Sequence, residues 1–107
     1  MLILLDECVP RPFRRELSAH EVRTVHEMGW AGKKNGALLA LMQHNSFEAL
    51  VTTDQNLRHQ QNISHFRVAV VVMVAMTNRL ANLVPLAAAV ARALENIQPG
   101  DVVTVQQ

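Results

Sequence analysis

The stretch FRVAVVVMV, residues 66–74, is apolar at nearly every position. A strand with one face in water alternates polar and apolar residues, whereas this run offers apolar side chains to both faces. It is about half as long as a lipid bilayer requires, so it does not indicate a membrane span. The run therefore predicts a strand in the middle of a parallel sheet that is covered on both faces.

Strand-like and helix-like segments alternate on both sides of this run. Short apolar or β-branched runs indicate the strands, and apolar residues at helical spacing indicate the helices. Pro85, inside the longest predicted helix, is expected to kink it or to start a second segment. This order predicts an α/β domain with a mostly parallel sheet of about five strands and helices on both faces. The predicted strands cover residues 2–5, 21–25, 47–54, 66–74 and 101–107, and the predicted helices cover residues 12–20, 35–45, 55–62 and 77–97.

The composition limits the class of protein. A chain of 107 residues suits a single domain, residues 1–107, and half of the residues are hydrophobic, which is enough for a core. The net charge of +1 gives no sign of a nucleic-acid or membrane partner. The single cysteine, Cys8, favours a reducing compartment, and the first residues lack the basic region and apolar core of a signal peptide. We therefore expect a cytoplasmic protein without a membrane segment.

Acidic residues stand where two of the predicted strands end. Asp6 and Glu7 follow the first strand, and Asp54 ends the third. Sites in open parallel sheets form outside the carboxyl ends of the strands, so these acids converge if the two strands are neighbours. Clustered carboxylates repel one another, and Mg²⁺ or Mn²⁺ would compensate their charge and support phosphoryl chemistry. The alternative is that Asp6 and Asp54 only cap the helices that follow them.

Other polar residues follow strands at the same predicted edge. Asn56 either orients a water molecule at a metal or caps the short helix after it. Asn78 and Arg79 follow the fourth strand, where Arg79 is either a phosphate clamp or an ordinary exposed arginine. Cys8 lacks an evident base, so we interpret it as a buried small residue and not as a nucleophile. The five histidines show no regular spacing of metal ligands, which disfavours a zinc site.

Three stretches in register resemble a known family. They are LLDECVPRPFRREL (4–17), HEVRTVHEMGWAG (20–32) and ALVTTDQNL (49–57), and they resemble the small PIN-like proteins of the DUF5615 type, related to the Mut7-C nuclease domain. The resemblance extends from Met1 to about Ile97. It implies a three-layer α/β/α PIN-like (Rossmannoid) fold and a metal-dependent ribonuclease, often the toxin of a toxin–antitoxin pair.

The resemblance also assigns site residues. The acid that follows the family's first strand corresponds to Asp6, with its neighbour at Glu7. The acid that ends the family's VTxD pattern corresponds to Asp54. These three residues are therefore the expected catalytic and metal-binding groups.

One segment departs from the family pattern. Related sequences commonly begin the helix after the glycine-rich loop with acidic residues of the form D-E-E. Here residues 33–39 read KKNGALL, so Asn35 stands where an aspartate is expected and Gly36 and Ala37 replace glutamates. Glu27, in the preceding loop, either supplies the missing charge or is a solvated loop acid.

The leading hypothesis is a Mg²⁺- or Mn²⁺-dependent endoribonuclease that acts on single-stranded RNA. Asp6 and Asp54 would bind the metal, Glu7 would bind it or orient water, and Asn35 would support them. An antitoxin protein would mask the site, and a homodimer through the long helix is plausible. The second hypothesis is a catalytically degenerate PIN-like module that binds RNA or a protein partner. A phosphoaspartate receiver with Asp54 as acceptor is disfavoured because no lysine closes the last strand.

Overall fold

The chain is built from short strands and helical segments. A computed structural model describes residues 1–33, 35–59 and 62–107, apart from the side chains of residues 35, 58 and 59. Five strands alternate with helical segments along this part of the chain. The strands are β1 (Leu2–Leu5), β2 (Glu21–Thr24), β3 (Ala49–Thr52), β4 (Ala69–Val74) and β5 (Val102–Gln106). The α-helices are α1 (Asn35–His44), α2 (Leu80–Leu83) and α3 (Ala87–Asn96).

The five strands form one sheet in the order β2-β1-β3-β4-β5, and all neighbouring pairs are parallel. The predicted α/β class with a mostly parallel sheet of about five strands is confirmed. The finer expectation, a three-layer PIN-like arrangement, stays a prediction. All five predicted strands are present, and each except β1 is shorter than its predicted range.

Alternate side chains of the strands pack into two apolar clusters. In β1, Ile3 and Leu5 belong to one cluster and Leu4 belongs to the other. In β4, Val71 lies in the first cluster and Val70 in the second, and both are fully buried. This explains why residues 69–73 are apolar without alternation, since neither face of β4 meets water.

The helical segments supply the other side of each cluster. Phe13 and Leu17, from the 3₁₀ segment Arg11–Leu17, join Val90 and Leu94 of α3 in the first cluster. Leu38, Leu39 and Met42 of α1 join the 3₁₀ residues Leu57 and Ile63 in the second cluster. Burial of these side chains therefore holds helical segments against both sets of strand residues.

Two helix predictions need correction. The segment after Pro10 is a 3₁₀ helix over Arg11–Leu17 and not an α-helix over residues 12–20. The long helix predicted over residues 77–97 begins at Leu80 and is interrupted by a 3₁₀ turn, Val84–Leu86, before α3. Pro85 explains the interruption because it lacks the N–H that a continuous helix requires. Within the described residues, no helix is both long and apolar enough to cross a bilayer.

Candidate functional site

The acids at the ends of β1 and β3 meet because these two strands are direct neighbours. Leu5 pairs with Val51 in the parallel register, and the Asp6 backbone N–H donates to the Val51 carbonyl at 3.0 Å. Asp6 therefore extends β1 to the point where β3 ends. β3 ends at Thr52, and Asp54 follows two residues later in the loop. Both strands therefore bring a carboxylate to the same edge of the sheet.

A buried hydroxyl joins the two strand ends. The Thr52 side chain is fully buried, and its Oγ1 donates a hydrogen bond to Asp6 Oδ2 at 2.8 Å. The same oxygen accepts the Asp54 backbone N–H at 3.0 Å. One atom thus orients the Asp6 carboxylate and fixes the start of the loop that carries Asp54.

Each of the two aspartates also accepts a local backbone hydrogen bond. Asp6 Oδ1 accepts the Glu7 N–H at 2.9 Å, and Asp54 Oδ1 accepts the Asn56 N–H at 3.0 Å. The bond to Asn56 places Asp54 as a cap on the 3₁₀ segment Gln55–His59. A carboxylate has about four acceptor positions, so a cap and a ligand role are compatible in one side chain.

Asp6, Glu7 and Asp54 line one pocket with a volume of about 400 Å³. Its apolar lining comes from α1, β3 and the 3₁₀ segment Gln55–His59. Lys33 is the only cationic side chain among the described lining residues. The polar and sulfur-bearing lining residues are Asp6, Glu7, Cys8, Lys33, Thr53 and Asp54, and the apolar ones are Leu38, Leu50 and Leu57.

The charges of this pocket are unbalanced. Three carboxylates and one ammonium group line it, and no ion pair among the described residues joins Lys33 to any of the acids. Glu7 is exposed, and its Oε1 accepts the Gly32 backbone N–H at 3.3 Å. The pocket is therefore a region of net negative charge, where a cation is favoured.

The structure places Glu27 outside this pocket. Its Oε2 lies 3.0 Å from Arg14 Nη2 and 3.7 Å from Arg11 Nη2, and its Oε1 accepts the Thr24 N–H at 2.9 Å. The Arg14 guanidinium in ion-pair contact and the hydrogen bond from the Thr24 N–H lower the pKa of Glu27 below its ordinary value. Glu27 thus holds the loop after β2 to the 3₁₀ segment Arg11–Leu17, and the structure does not bring it to the carboxylates.

Asn56, Asn78 and Arg79 are not among the residues that line the pocket. The Asn78 side chain donates to the Cys8 carbonyl at 3.1 Å and so ties the loop after β4 to the loop after β1. Arg79 is exposed and immediately precedes α2. Asn56 is exposed and presents its backbone N–H to Asp54. The backbone of Asn35 begins α1, and its side chain lies outside the described part of the structure.

Three neighbours of the acids were missed or assigned differently from sequence. Thr52 could have been found from the sequence, because the stretch VTTD places a β-branched residue with a hydroxyl two residues before Asp54. Lys33 was indicated only weakly, as one of several scattered basic residues near the predicted edge that would suit an RNA backbone. Cys8 is half-buried and not buried as expected, and its Sγ lies 3.5 Å from Thr52 Oγ1 at the pocket wall.

The donor chemistry of the pocket fits a hard divalent cation. Carboxylate oxygens are the ligands that Mg²⁺ and Mn²⁺ take, and Mg²⁺ commonly uses one or two of them with several waters. Within residues 1–33, 35–59 and 62–107, no three His, Cys, Asp or Glu side chains are grouped to hold a metal ion together. Asp6 and Asp54 are the residues of the pocket that could hold such a cation.

Comparisons of the chain with protein-family models, with curated proteins and with solved structures find no match. The PIN-like resemblance therefore stays a prediction that depends on the quoted stretches. The functional argument depends on the pocket itself.

Proposed function

We propose that this protein is a Mg²⁺- or Mn²⁺-dependent endoribonuclease of PIN-like type that cleaves single-stranded RNA. The observation that carries the proposal is the shared pocket. Asp6 and Asp54, delivered by adjacent parallel strands, line it together with Glu7 and Lys33. Convergent carboxylates with hard oxygen donors are the usual basis of metal-assisted phosphodiester hydrolysis.

Each lining residue has a role in this reaction. Asp6 and Asp54 would hold the cation, with the Thr52 hydroxyl fixing the orientation of the Asp6 carboxylate. When bound, the cation activates water for attack and offsets the charge that develops on the phosphodiester. Glu7, at the exposed rim, would orient the attacking water. The Lys33 ammonium would bind a phosphate oxygen of the RNA backbone.

The test is cleavage of a fluorescent single-stranded RNA with Mn²⁺, with Mg²⁺ or with EDTA. We expect metal-dependent cleavage that falls by at least about a hundredfold in Asp6→Asn and in Asp54→Asn. The matched control is Asp101→Asn, because the Asp101 carboxylate accepts the Gln98 N–H and does not line the pocket. Isothermal titration should show Mn²⁺ binding to the native chain and to Asp101→Asn, with no binding to Asp6→Asn.

The purified variants also expose a contaminating ribonuclease. Equal cleavage by the native chain and by Asp6→Asn would refute the proposal, as would intact RNA under every divalent metal. The expected toxin role also implies a partner, an antitoxin protein that would cover the pocket and so exclude RNA from it.

A second candidate function is a catalytically degenerate PIN-like module that binds RNA or a protein partner. The observation that favours it is the local use of the acids, since both Asp6 and Asp54 accept backbone hydrogen bonds of the kind that cap turns. The start of α1 also carries no acid in its first turn. Asn35→Asp discriminates between the two functions, with Asn96→Asp on the exposed surface of α3 as the control. Cleavage that appears only in Asn35→Asp would identify the natural site as degraded.

A further inference from the structure

The two edges of the sheet differ in how they meet solvent. β2, at one edge, has only four residues, and its exposed side chains are Glu21 and Arg23, which form an ion pair at 3.1 Å. Charged side chains on a short edge strand discourage pairing with another chain. β5, at the other edge, runs from Val102 to Gln106 and contains no charged residue and no proline. Only the β2 edge therefore carries this protection.

The backbone of β5 offers hydrogen-bonding groups to a further strand. The Asp101 carbonyl accepts the Val70 N–H at 2.8 Å, so Asp101 faces β4. Backbone groups of successive strand residues point alternately to the two sides, so Val103 and Val105 also face β4. Val102, Thr104 and Gln106 therefore direct their N–H and C=O groups outward. Within the described residues, no strand pairs with this outer side.

The side chains of β5 are also incompletely covered. Val102 packs against the cluster that contains Leu4, and Val103 packs against the cluster that contains Ile3. Both valines are only half-buried, whereas their partners Val70 and Val71 in β4 are fully buried. Another strand beside β5 would remove apolar surface from water on both faces of the sheet.

We propose that β5 pairs antiparallel with β5 of a second copy of this chain, about a two-fold axis at Thr104. In this arrangement Thr104 lies opposite Thr104 of the other copy, and each Val103 lies opposite Val105. Val102 lies opposite Gln106. The Thr104–Thr104 pair and each Val102–Gln106 pair exchange backbone hydrogen bonds. The sheet therefore continues across the dimer.

The sequence of β5 favours a second copy over another partner. An antiparallel pair about a two-fold axis is a closed interface in which one patch meets itself. The strand VVTVQ is self-complementary under this operation, because threonine meets threonine and valine meets valine without apposed charges. A charged residue at the axis would remove this property, since the two-fold operation would place it opposite its own copy.

The interface does not depend on the proposed ribonuclease activity. In the strand order, β4 separates β5 from β3, which carries Asp54 into the pocket. No residue of β5 lines that pocket. The assembly and the nuclease can therefore be tested and can fail separately.

Charge exchange at the axis tests the pairing. Thr104 is exposed and meets its own copy, so Thr104→Lys apposes two positive charges and Thr104→Glu apposes two negative charges. We expect each variant alone to weaken the dimer by about tenfold in sedimentation equilibrium, because a like-charged pair replaces a favourable one. An equimolar mixture of the two variants should recover the dimer, because opposite charges then meet.

Two controls keep the outcome specific to β5. At a protein concentration low enough for the native chain to be monomeric, unfolding midpoints of both Thr104 variants should match that of the native chain, since Thr104 lies outside the buried clusters. Ala88→Lys places the same charge on the exposed surface of α3 and should leave the dimer unchanged. A native chain that is monomeric up to its solubility limit would overturn the proposal. So would a mixture that dimerises no better than Thr104→Lys alone, or a dimer that only Ala88→Lys disrupts.

Discussion

At the scale of single residues, the Thr52 hydroxyl has the widest influence on the site. It is fully buried, donates to Asp6 and accepts the Asp54 N–H. A backbone N–H left without a partner in a buried position costs free energy comparable to a lost hydrogen bond. The geometry of the acids therefore depends on a residue that does not itself line the pocket.

Replacing Thr52 by valine keeps the shape of the side chain and removes the hydroxyl. We expect Thr52→Val to lower the free energy of unfolding by about 1–3 kcal/mol, because Asp6 loses a donor and the Asp54 N–H loses an acceptor. Urea denaturation measures this change. Metal-dependent RNA cleavage should fall as well, since the Asp6 carboxylate is no longer oriented.

The matched control is Thr24→Val, at the end of β2. Thr24 is also buried, and its hydroxyl accepts the Glu27 N–H at 3.0 Å, away from the pocket. We expect it to lower stability without lowering cleavage per folded molecule. Equal effects of the two variants on cleavage would show that the Thr52 hydroxyl has no specific role at the acids.

Glu27 makes a pH-dependent contribution to the stability of the fold. The Arg14 guanidinium, 3.0 Å from the Glu27 carboxylate, is the largest cause that lowers the pKa of Glu27 below its ordinary value in the folded state. A carboxyl with a lowered folded pKa stabilises the fold above its unfolded pKa, and this stabilisation is lost as the pH falls through the folded pKa. The difference in unfolding free energy between native and Glu27→Gln chains should be present at neutral pH and shrink below about pH 4.5.

The measurement is urea denaturation from pH 7 to the acid limit of folding. Glu95→Gln, at an exposed position on α3, controls for the loss of one negative charge. A difference for Glu27→Gln that stays constant down to the lowest pH would contradict the stabilising ion pair.

At the scale of elements, two glycines occupy positions with different backbone requirements, one in a turn and one in a helix. Gly100 has φ of +90° in the turn before β5, and a Cβ there would lie 3.4 Å from Ser64 Cα. Gly36 lies in the first turn of α1, where an added Cβ would meet no atom within 4 Å. The first position requires glycine, whereas the second only tolerates it.

Alanine substitutions should therefore have opposite signs. Gly100→Ala should lower the free energy of unfolding by about 1–2 kcal/mol, because an L-residue is strained at positive φ. Gly36→Ala should raise it by about 0.5–1 kcal/mol, since alanine loses less backbone entropy in a helix. Each substitution is the other's control in the same denaturation experiment. Stabilisation by Gly100→Ala would contradict the assigned turn.

The longest predicted helix shows where pattern alone is insufficient. Apolar spacing over residues 77–97 favours one helix, and Pro85 indicates only that a break or kink is possible. In the fold, α2 and α3 are separate elements joined by the turn Val84–Leu86, and each contributes to the cluster containing Ile3. The structure places a 3₁₀ turn at Pro85, and Leu83 and Leu86 on either side of Pro85 are both buried.

At the scale of the whole molecule, the strand order creates the site. β1 and β3 are not consecutive strands, and the chain forms β2 at the outer edge between them. This order brings residues that are 48 positions apart, Asp6 and Asp54, into one pocket. An order that placed another strand between β1 and β3 would move them apart by a further strand spacing of about 5 Å.

The sequence by itself determined the class of fold and the candidate acids. Continuous apolar character in residues 69–73 requires cover on both faces, and alternation of strands and helices requires a parallel sheet. Asp6 and Asp54 could be selected because acids at strand ends are informative in any parallel sheet. These properties are local or periodic, so they can be read without knowing which segments touch.

Only the tertiary structure decided which groups meet. It placed Lys33 and Cys8 beside the acids, tied Glu27 to Arg14 away from them, and left β5 as an edge strand of the sheet. These outcomes depend on strand order and on the packing of loops between residues distant in the chain. Such long-range contacts are selected by the burial of the whole core, and no short stretch of sequence contains that information.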